Sequence, residues 1–481
     1  MSELIFESAA SLVAAMRRGK LSAVELMNAC YDQIERVNPT LNAIVNLLPR
    51  DRAVALAREA DRAQAAGARL GPLHGLPMAP KDCVEVEDFP TTWGFVPFRD
   101  RIARADDELA ARQRAAGALF IGKTNMPELG LGSHTFNRLF GTTRNPHDPT
   151  RSAGGSSGGA AAALAAGLLP LADGTDMGGS LRNPASFCNV VGLRPSIGRV
   201  PAAQRMGWLA RLSTPGPMAR TVADAALLLS VQAGPYPPDP LTLAQPGHAF
   251  AGTLARDFHG LRIAWTPDLG FLPVEPEVAR VVEAAAQVFR GFGCVVEPAC
   301  PDLTDAMAVF QVERAAAMAV LGRELDRTVP DWRRHAKDTL LWNVEQGFAL
   351  TSEALLDAEV RRTRIYREAV EFFSRYDALL LPAAQVAPFP VEQEWVREID
   401  GRPMQTYIDW MSVCCAISVT GLPALSVPAG FTPAGLPVGL QIVAGPHDDL
   451  GLLQLAHEFE QATLCHRRRP VLALEGTAST G

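Results

Sequence analysis

Two serines, Ser156 and Ser180, stand 24 positions apart on glycine-rich stretches, and a lysine, Lys81, ends a proline-rich apolar run upstream of both. The serines belong to Gly154-Gly155-Ser156-Ser157-Gly158-Gly159 and to Gly178-Gly179-Ser180. Glycines beside a serine free the backbone and leave room for a substrate to approach main-chain NH groups. One Gly-Gly-Ser triplet is explained well enough by close packing of helix on sheet. Two of them flanking a single unit point to chemistry. A phosphate cradle would need Gly-Lys-Ser or Gly-Lys-Thr after the glycines, and that signature is missing. Gly154 to Gly158 satisfies the G-x-S-x-G of a nucleophile elbow, a pattern that carries little weight alone. The third reading makes both serines working parts, and it needs a base from elsewhere, because a serine hydroxyl is a poor nucleophile until its proton is removed.

Lysines are the candidates for that base. Gly71-Pro72-Leu73-His74-Gly75-Leu76-Pro77-Met78-Ala79-Pro80 is extended and apolar, so Lys81 at its end is expected inside the protein. An ion pair with neighbouring Asp82 is the ordinary use of such a lysine. Burial offers another, since desolvation draws a lysine pKa down from about 10.4 by several units and leaves a neutral amine able to accept a proton. Lys123, in Gly122-Lys123-Thr124-Asn125, is a second candidate without the enclosing apolar run. His74, followed by glycine in a turn, reads as structural, and none of the nine histidines stands in a motif with either serine.

The elements that must hold these groups follow from local pattern. Ala160 to Ala166 suits a short, tightly packed helix ending at Gly167, and Leu168 to Ala172 reads as a buried strand, so the two serine turns lie at either end of one helix-strand unit. Ser22 and Glu25 form a capping box that opens a helix running toward Val37, and a second helix is expected over Arg50 to Ala66. A strand near Ala118 to Gly122 leads to a helix start at Met126 to Leu129, with Pro127 in its first turn. Further helices are expected over Thr221 to Ala233, Val278 to Phe289, Ala306 to Leu325, Ser352 to Tyr376 and Leu450 to Thr463. Strands are expected over Leu261 to Trp265, Tyr376 to Pro382, and as a pair over Gly421 to Pro428 and Gly435 to Val443. Strands in both halves of the chain with helices between them imply an α/β fold: one large domain, 1–481, with a central mixed, twisted sheet covered by helices on both faces. The core motifs occupy 70–235 and 376–465. The stretch 236–375, entered through the proline-rich 235–246, is expected to cover and shape a site. The tail 475–481 is small, polar and expected to be loose.

Composition narrows the function classes. At 481 residues, 48% hydrophobic and 20% charged, the chain can bury a large core. A formal net charge of −7 argues against dominant binding to nucleic acid or an anionic membrane. The eight cysteines show no metal-finger spacing and read as reduced thiols, and no secretory or membrane-spanning pattern is evident, so the expected address is the cytoplasm. No metal or cofactor is expected.

Taken together, Gly75 to Asp82, Gly122 to Glu128, Gly154 to Gly159, Gly174 to Arg182 and Gly435 to Gln441 resemble the amidase signature family, and the interval between the serines is the one that family uses. The resemblance covers most of the chain, with no match over roughly 235–375. It implies an amidohydrolase in which Ser180 is the nucleophile, Ser156 a relay joined to Gly155 by a cis peptide, and Lys81 the general base. It further implies an oxyanion hole of the NH groups of Met177, Gly178, Gly179 and Ser180, and a leaving-group side lined by Gly130, Leu131 and Gly132. Asp176 and Arg182 match positions that hold the nucleophile turn. Pro80 departs from the pattern, which puts an open-chain apolar residue there. The implied substrates are small-molecule amides, esters or carbamates, and the expected state is a monomer or homodimer. Two other readings stay open at this stage: an α/β-hydrolase using Ser156 with His447 or His457, and the A subunit of a tRNA-dependent amidotransferase. Trp93, Phe136, Trp208, Trp332 and Trp342 either line a substrate pocket or pack.

Overall fold

A computed structural model describes residues 3–202, 206–209 and 212–474. Its centre is an eight-stranded sheet built from β1 (Leu171–Asp176), β2 (Val191–Arg194), β3 (Thr214–Ala219), β4 (Arg262–Trp265), β5 (Val295–Pro298), β6 (Ala378–Pro382), β7 (Ala424–Phe431) and β8 (Pro437–Ala444). Their order is β5-β4-β6-β8-β7-β2-β3-β1. β4 runs parallel to β5 and β6, while every other pairing is antiparallel, so the sheet is mixed.

The helices described next pack around it: α1 (Ala9–Arg17), α2 (Ala23–Leu41), α3 (Arg50–Ala65), α4 (Gly158–Ala165), α5 (Arg182–Cys188), α6 (Val222–Gln232), α7 (Pro276–Val288), α8 (Ala306–Thr328), α9 (Asp338–Phe348), α10 (Ser352–Phe373), α11 (Ser412–Thr420) and α12 (Asp449–Thr463). The period-two alternation of β8 shows how both faces are covered. On one face Gly439 donates its NH to Ser186 Oγ and Gln441 accepts from Arg182, both on α5. On the other face Ile442 and Ala444 meet Leu452 and Leu455 of α12. All of β8 is buried, and its one polar side chain, Gln441, is the acceptor for Arg182.

Most expected elements appear with boundaries shifted by a few residues. The capping box at Ser22 and Glu25 forms, and α2 runs past Val37 to Leu41 through Pro39. Two expectations need correction. The strand expected over Leu168 to Ala172 is Leu171–Asp176, because Asp173, Thr175 and Asp176 take ladder positions while their side chains meet buried partners. The helix start at Met126 goes no further than a 3-10 turn, Glu128–Gly130, in which Leu129 takes a φ of 51° and breaks the helix. The tail 475–481 lies outside the described residues.

A hydrophobic cluster runs from Ala9 to Ala473, and a second, smaller one joins Leu129 and Leu131 to Trp332, to Met318 and Leu325 of α8, and to Leu340 and Val344 of α9. Helices of the unmatched middle stretch therefore pack directly on the Gly130 loop.

Candidate active site

Lys81 is held at its backbone before its side chain acts. Its NH donates to Asp173 Oδ1 at 2.9 Å, and on either side Thr124 NH donates to the Pro80 carbonyl at 3.0 Å and Asp82 NH to the Thr124 carbonyl at 3.1 Å. Pro80 leaves this anchoring intact, because only its carbonyl takes part. The side chain is 0% exposed, and Nζ lies 2.8 Å from Ser156 Oγ, 3.0 Å from Ser157 Oγ and 3.0 Å from Thr175 Oγ1. Burial pushes the Lys81 pKa below the ordinary lysine value, against the weaker pull of Cys83, Asp173 and Asp176. Three neutral hydroxyls surround an amine that no carboxylate touches, an environment in which the uncharged form is favoured.

The pairing of Lys81 with Asp82 does not form. Asp82 accepts instead from Thr92 Oγ1 and from the NH groups of Thr92 and Gly94. Lys123 is equally buried, but its amine donates to the Val84 carbonyl and bonds neither serine. His74 is buried without contacting the site. His447 is exposed, and His457 sits 3.9 Å from Glu460, so neither supplies a base to Ser156.

The peptide bond from Gly155 to Ser156 is cis. The Gly155 carbonyl accepts from Ser133 Oγ at 2.6 Å, and Ser133 Oγ accepts from Asn183 Nδ2 at 2.8 Å. Ser157 NH donates to the Ser180 carbonyl at 3.1 Å, which ties one serine turn directly to the other. Ser156 is 2% exposed, whereas Ser180 is partly open and its hydroxyl makes no hydrogen bond among the described residues. The polar side chain that is sealed in thus touches the amine, and the one that can meet a substrate is left free.

The Ser180 turn is braced by a buried pair. Arg182 donates to both oxygens of Asp176, at 3.0 and 2.8 Å, and Asp176 also accepts from the NH groups of Gly179 at 2.9 Å and Leu181 at 3.1 Å. Arg194 Nη1 reaches the same carboxylate at 3.5 Å and donates to the Asp176 carbonyl. Despite burial, these cations hold the Asp176 carboxyl well below its usual range, and Asp176 in turn raises the Arg182 pKa. With the Gly179 NH committed to Asp176, the NH groups of Met177, Gly178 and Ser180 have no such partner among the described residues. A Cβ on Gly178 would stand 2.8 Å from both Cys415 Sγ and Phe310 Cζ, so only glycine fits between the turn and those two side chains.

Gly130, Leu131 and Gly132 come to the same region. A Cβ on Gly130 would point to Ser156 Oγ at 4.0 Å, and Leu131 and Gly132 line a cavity of about 100 Å³ with Phe136, Lys337, Trp395 and Tyr407. Of the aromatic residues singled out, Phe136 lines this cavity and Trp342 packs edge-on against Tyr407. Trp93 and Trp332 belong to the smaller hydrophobic cluster, and Trp208 is exposed.

Sequence reasoning missed several groups here. Ser157 and Thr175 lie inside the glycine-rich motifs and carried no assigned role; their closeness to Ser156 and Asp176 was the available signal. Arg314 of α8, Asn343 of α9 and Tyr407 form a buried polar group in which Arg314 also donates to Met177 Sδ at 3.3 Å. They come from segments distant in sequence and carry no motif. Among the described residues no cluster of His, Cys, Asp or Glu could hold a metal ion.

A family model described as Amidase matches residues 25–453. The chain is 37% identical over 471 residues to an acylamidase of Rhodococcus erythropolis, covering 97% of this chain and 98% of the relative. It is 35% identical over 497 residues to the A subunit of the glutamyl-tRNA(Gln) amidotransferase of Chloroflexus aurantiacus, covering 98% and 100%. Among solved structures it is similar to a bacterial aryl acylamidase of the amidase signature family, with a TM-score of 0.88, 31% identity and 95% and 96% of the two chains covered. It is also similar to 6-aminohexanoate cyclic dimer hydrolase, with a TM-score of 0.86, 29% identity and 97% and 99% covered.

Proposed function

From the premise that this chain belongs to the amidase signature family and is an amidohydrolase acting on amide C–N bonds, we propose that it works through an acyl-enzyme on Ser180, with Lys81 as general base and Ser156 as relay. The observation that carries this reading is the sealed Lys81 amine, 2.8 Å from Ser156 Oγ and remote from any carboxylate bond. Neutral Lys81 takes the proton of Ser156 as Ser156 takes that of Ser180, and Ser180 Oγ attacks the carbonyl carbon. The returning proton leaves with the amine as the C–N bond breaks, and water then resolves the acyl-enzyme by the same route reversed. The NH groups of Met177, Gly178 and Ser180 face the developing oxyanion, each donor being worth about 3 kcal/mol in such sites. Gly179 has a different duty, since its NH fixes the turn to Asp176.

The substrate is a small-molecule amide. An ester or carbamate presents the same carbonyl to the same apparatus and belongs to the accepted range. Gly130, Leu131 and Gly132 line the leaving-group side. Residues 236–375 supply walls through α8 and α9, with Arg314 against Met177. The chain acts as a monomer or homodimer.

A second reading, the A subunit of an amidotransferase assembly, is favoured by the 35% identity to the Chloroflexus aurantiacus protein over nearly the whole chain. Assay of Ser180→Ala and Lys81→Met tests the mechanism. Each is expected to fold and to lower kcat/KM at least about 10³-fold. A folded Lys81→Met enzyme with near-normal turnover would remove Lys81 from the base role.

A further inference from the structure

A cavity of about 430 Å³ lies at the far end of α5 from Ser180, outside the machinery described above. α5 begins at Arg182, beside the nucleophile turn, and ends at Cys188, in the cavity wall. The wall carries four arginines, Arg220, Arg467, Arg468 and Arg469, and a single carboxylate, Glu7. None of the four is in an ion pair among the described residues. Arg220 is nine-tenths buried and donates only to main-chain carbonyls, those of Leu164, Leu169 and Glu7. Arg468 lies over the Phe431 ring at 3.8 Å and Arg469 over the Phe6 ring at 4.3 Å, and both, like Arg467, are exposed.

Several polar atoms of the same wall are sealed away from the space. Asn189 is 5% exposed; its Nδ2 donates to the Cys465 and Arg468 carbonyls, and its Oδ1 has no partner. His147 Nε2 and His466 Nδ1 are buried and unpartnered as well. Both imidazoles stay neutral near pH 7, pushed down to about 4 by burial, with Arg468 adding to the effect at His147 and Arg467 at His466. The helix N-termini at Ser8 and Thr221 also border the cavity, but their first NH groups already bond the carboxylates of Asp224 and Glu460, so they are not free donors. What remains is a concave space whose wall holds four guanidinium groups, three of them exposed and none ion-paired among the described residues, against one carboxylate. Guanidinium groups gathered in a concave wall with so little opposing charge favour an oxyanion, which accepts charge-assisted hydrogen bonds from them.

We infer that this cavity binds a small oxyanion-bearing molecule, a phosphate monoester or a carboxylate, through the guanidinium groups of its wall. Arg467, Arg468 and Arg469 donate to the anion, and Arg220, whose donors bond main-chain carbonyls, adds its charge.

Thermal unfolding of the whole chain in glycerol 3-phosphate, citrate or sodium chloride at matched ionic strength tests this, because a ligand that binds only the folded state raises Tm. Either organic anion should raise Tm above chloride, and their ranking tells phosphate from carboxylate recognition. The shift should persist in Ser180→Ala and vanish in Arg467→Gln/Arg468→Gln/Arg469→Gln, whose basal turnover is unchanged. Equal Tm in all three salts overturns the proposal, as does a shift that survives the triple substitution. Should the triple variant fail to fold, calorimetric titration of the unaltered chain and of Ser180→Ala decides the matter: saturable heat with at least one of the two organic anions in both supports it, and no saturable heat with either overturns it.

Discussion

At the scale of single residues, the site is arranged by unequal burial. Lys81 and Ser156 are sealed, Ser180 is partly open, and the charged groups nearby are neutralised among themselves through Asp176, Arg182 and Arg194. The lowered Lys81 pKa sets the direction of the pH profile. In the proposed mechanism the amine must be neutral, so kcat/KM should fall as pH drops through that pKa and level off above it, with the acid limb gone from the residual rate of Lys81→Met. Asp176→Asn would leave two buried guanidinium groups without their carboxylate. Breaking a buried pair on one side destabilises by about 3–5 kcal/mol, so urea unfolding should show a loss of that order, together with lost turnover as the Gly179 and Leu181 bonds weaken. An unchanged unfolding midpoint would deny Asp176 this bracing role.

At the scale of elements, how much could be read from the sequence depended on whether a residue's partners were local. α2 announced itself through a capping box, and β8 through a run that is apolar but for Gln441. β1 was misplaced because Asp173 and Asp176 look like loop residues until their partners are known, and those partners, Lys81, Gln113 and Arg182, lie from six to 92 positions away. α5 and α11 escaped detection because both are buried on every side and show no amphipathic period. The two serines and Lys81 were legible because their glycine and proline neighbours are local; Arg314, Asn343 and Tyr407 were not. The start of α6 offers a separate test. Val222 NH donates to Glu460 Oε1 at 2.8 Å, and burial, reinforced by Asp224, raises the Glu460 pKa from 4.5 to about 8. The folded state thus holds a proton that the unfolded chain releases. The stabilisation is present in full below about pH 4.5 and is lost as pH rises to about 8. Relative to Glu460→Gln, which stays neutral and keeps an acceptor for Val222, the unaltered chain should lose Tm steadily over that window. A constant difference between the two would contradict the assignment.

At the scale of the whole molecule, one sheet spans sequence from Leu171 to Ala444, and its strand β1 ends at Asp176, where the Ser180 turn begins. No helix among the described residues is long and apolar enough to cross a membrane. α8 and α9 are unmatched by the motifs yet pack on Leu129 and Leu131, so substrate choice should follow changes there without loss of the basal mechanism. The purified chain by itself should hydrolyse a simple anilide. Activity that appears only with added partner proteins would favour the amidotransferase reading instead.

The proposed proton path from Lys81 to Ser180 is tested most directly by labelling the purified chain with a fluorophosphonate across a pH series, with the modified peptide identified by mass spectrometry. The expected result is a single adduct on Ser180, formed faster as pH rises to a plateau, and in Lys81→Ala a rate lower by at least about 10³-fold without that rise. An adduct on Ser156, or a Lys81→Ala chain that labels Ser180 at the unaltered rate, would contradict it.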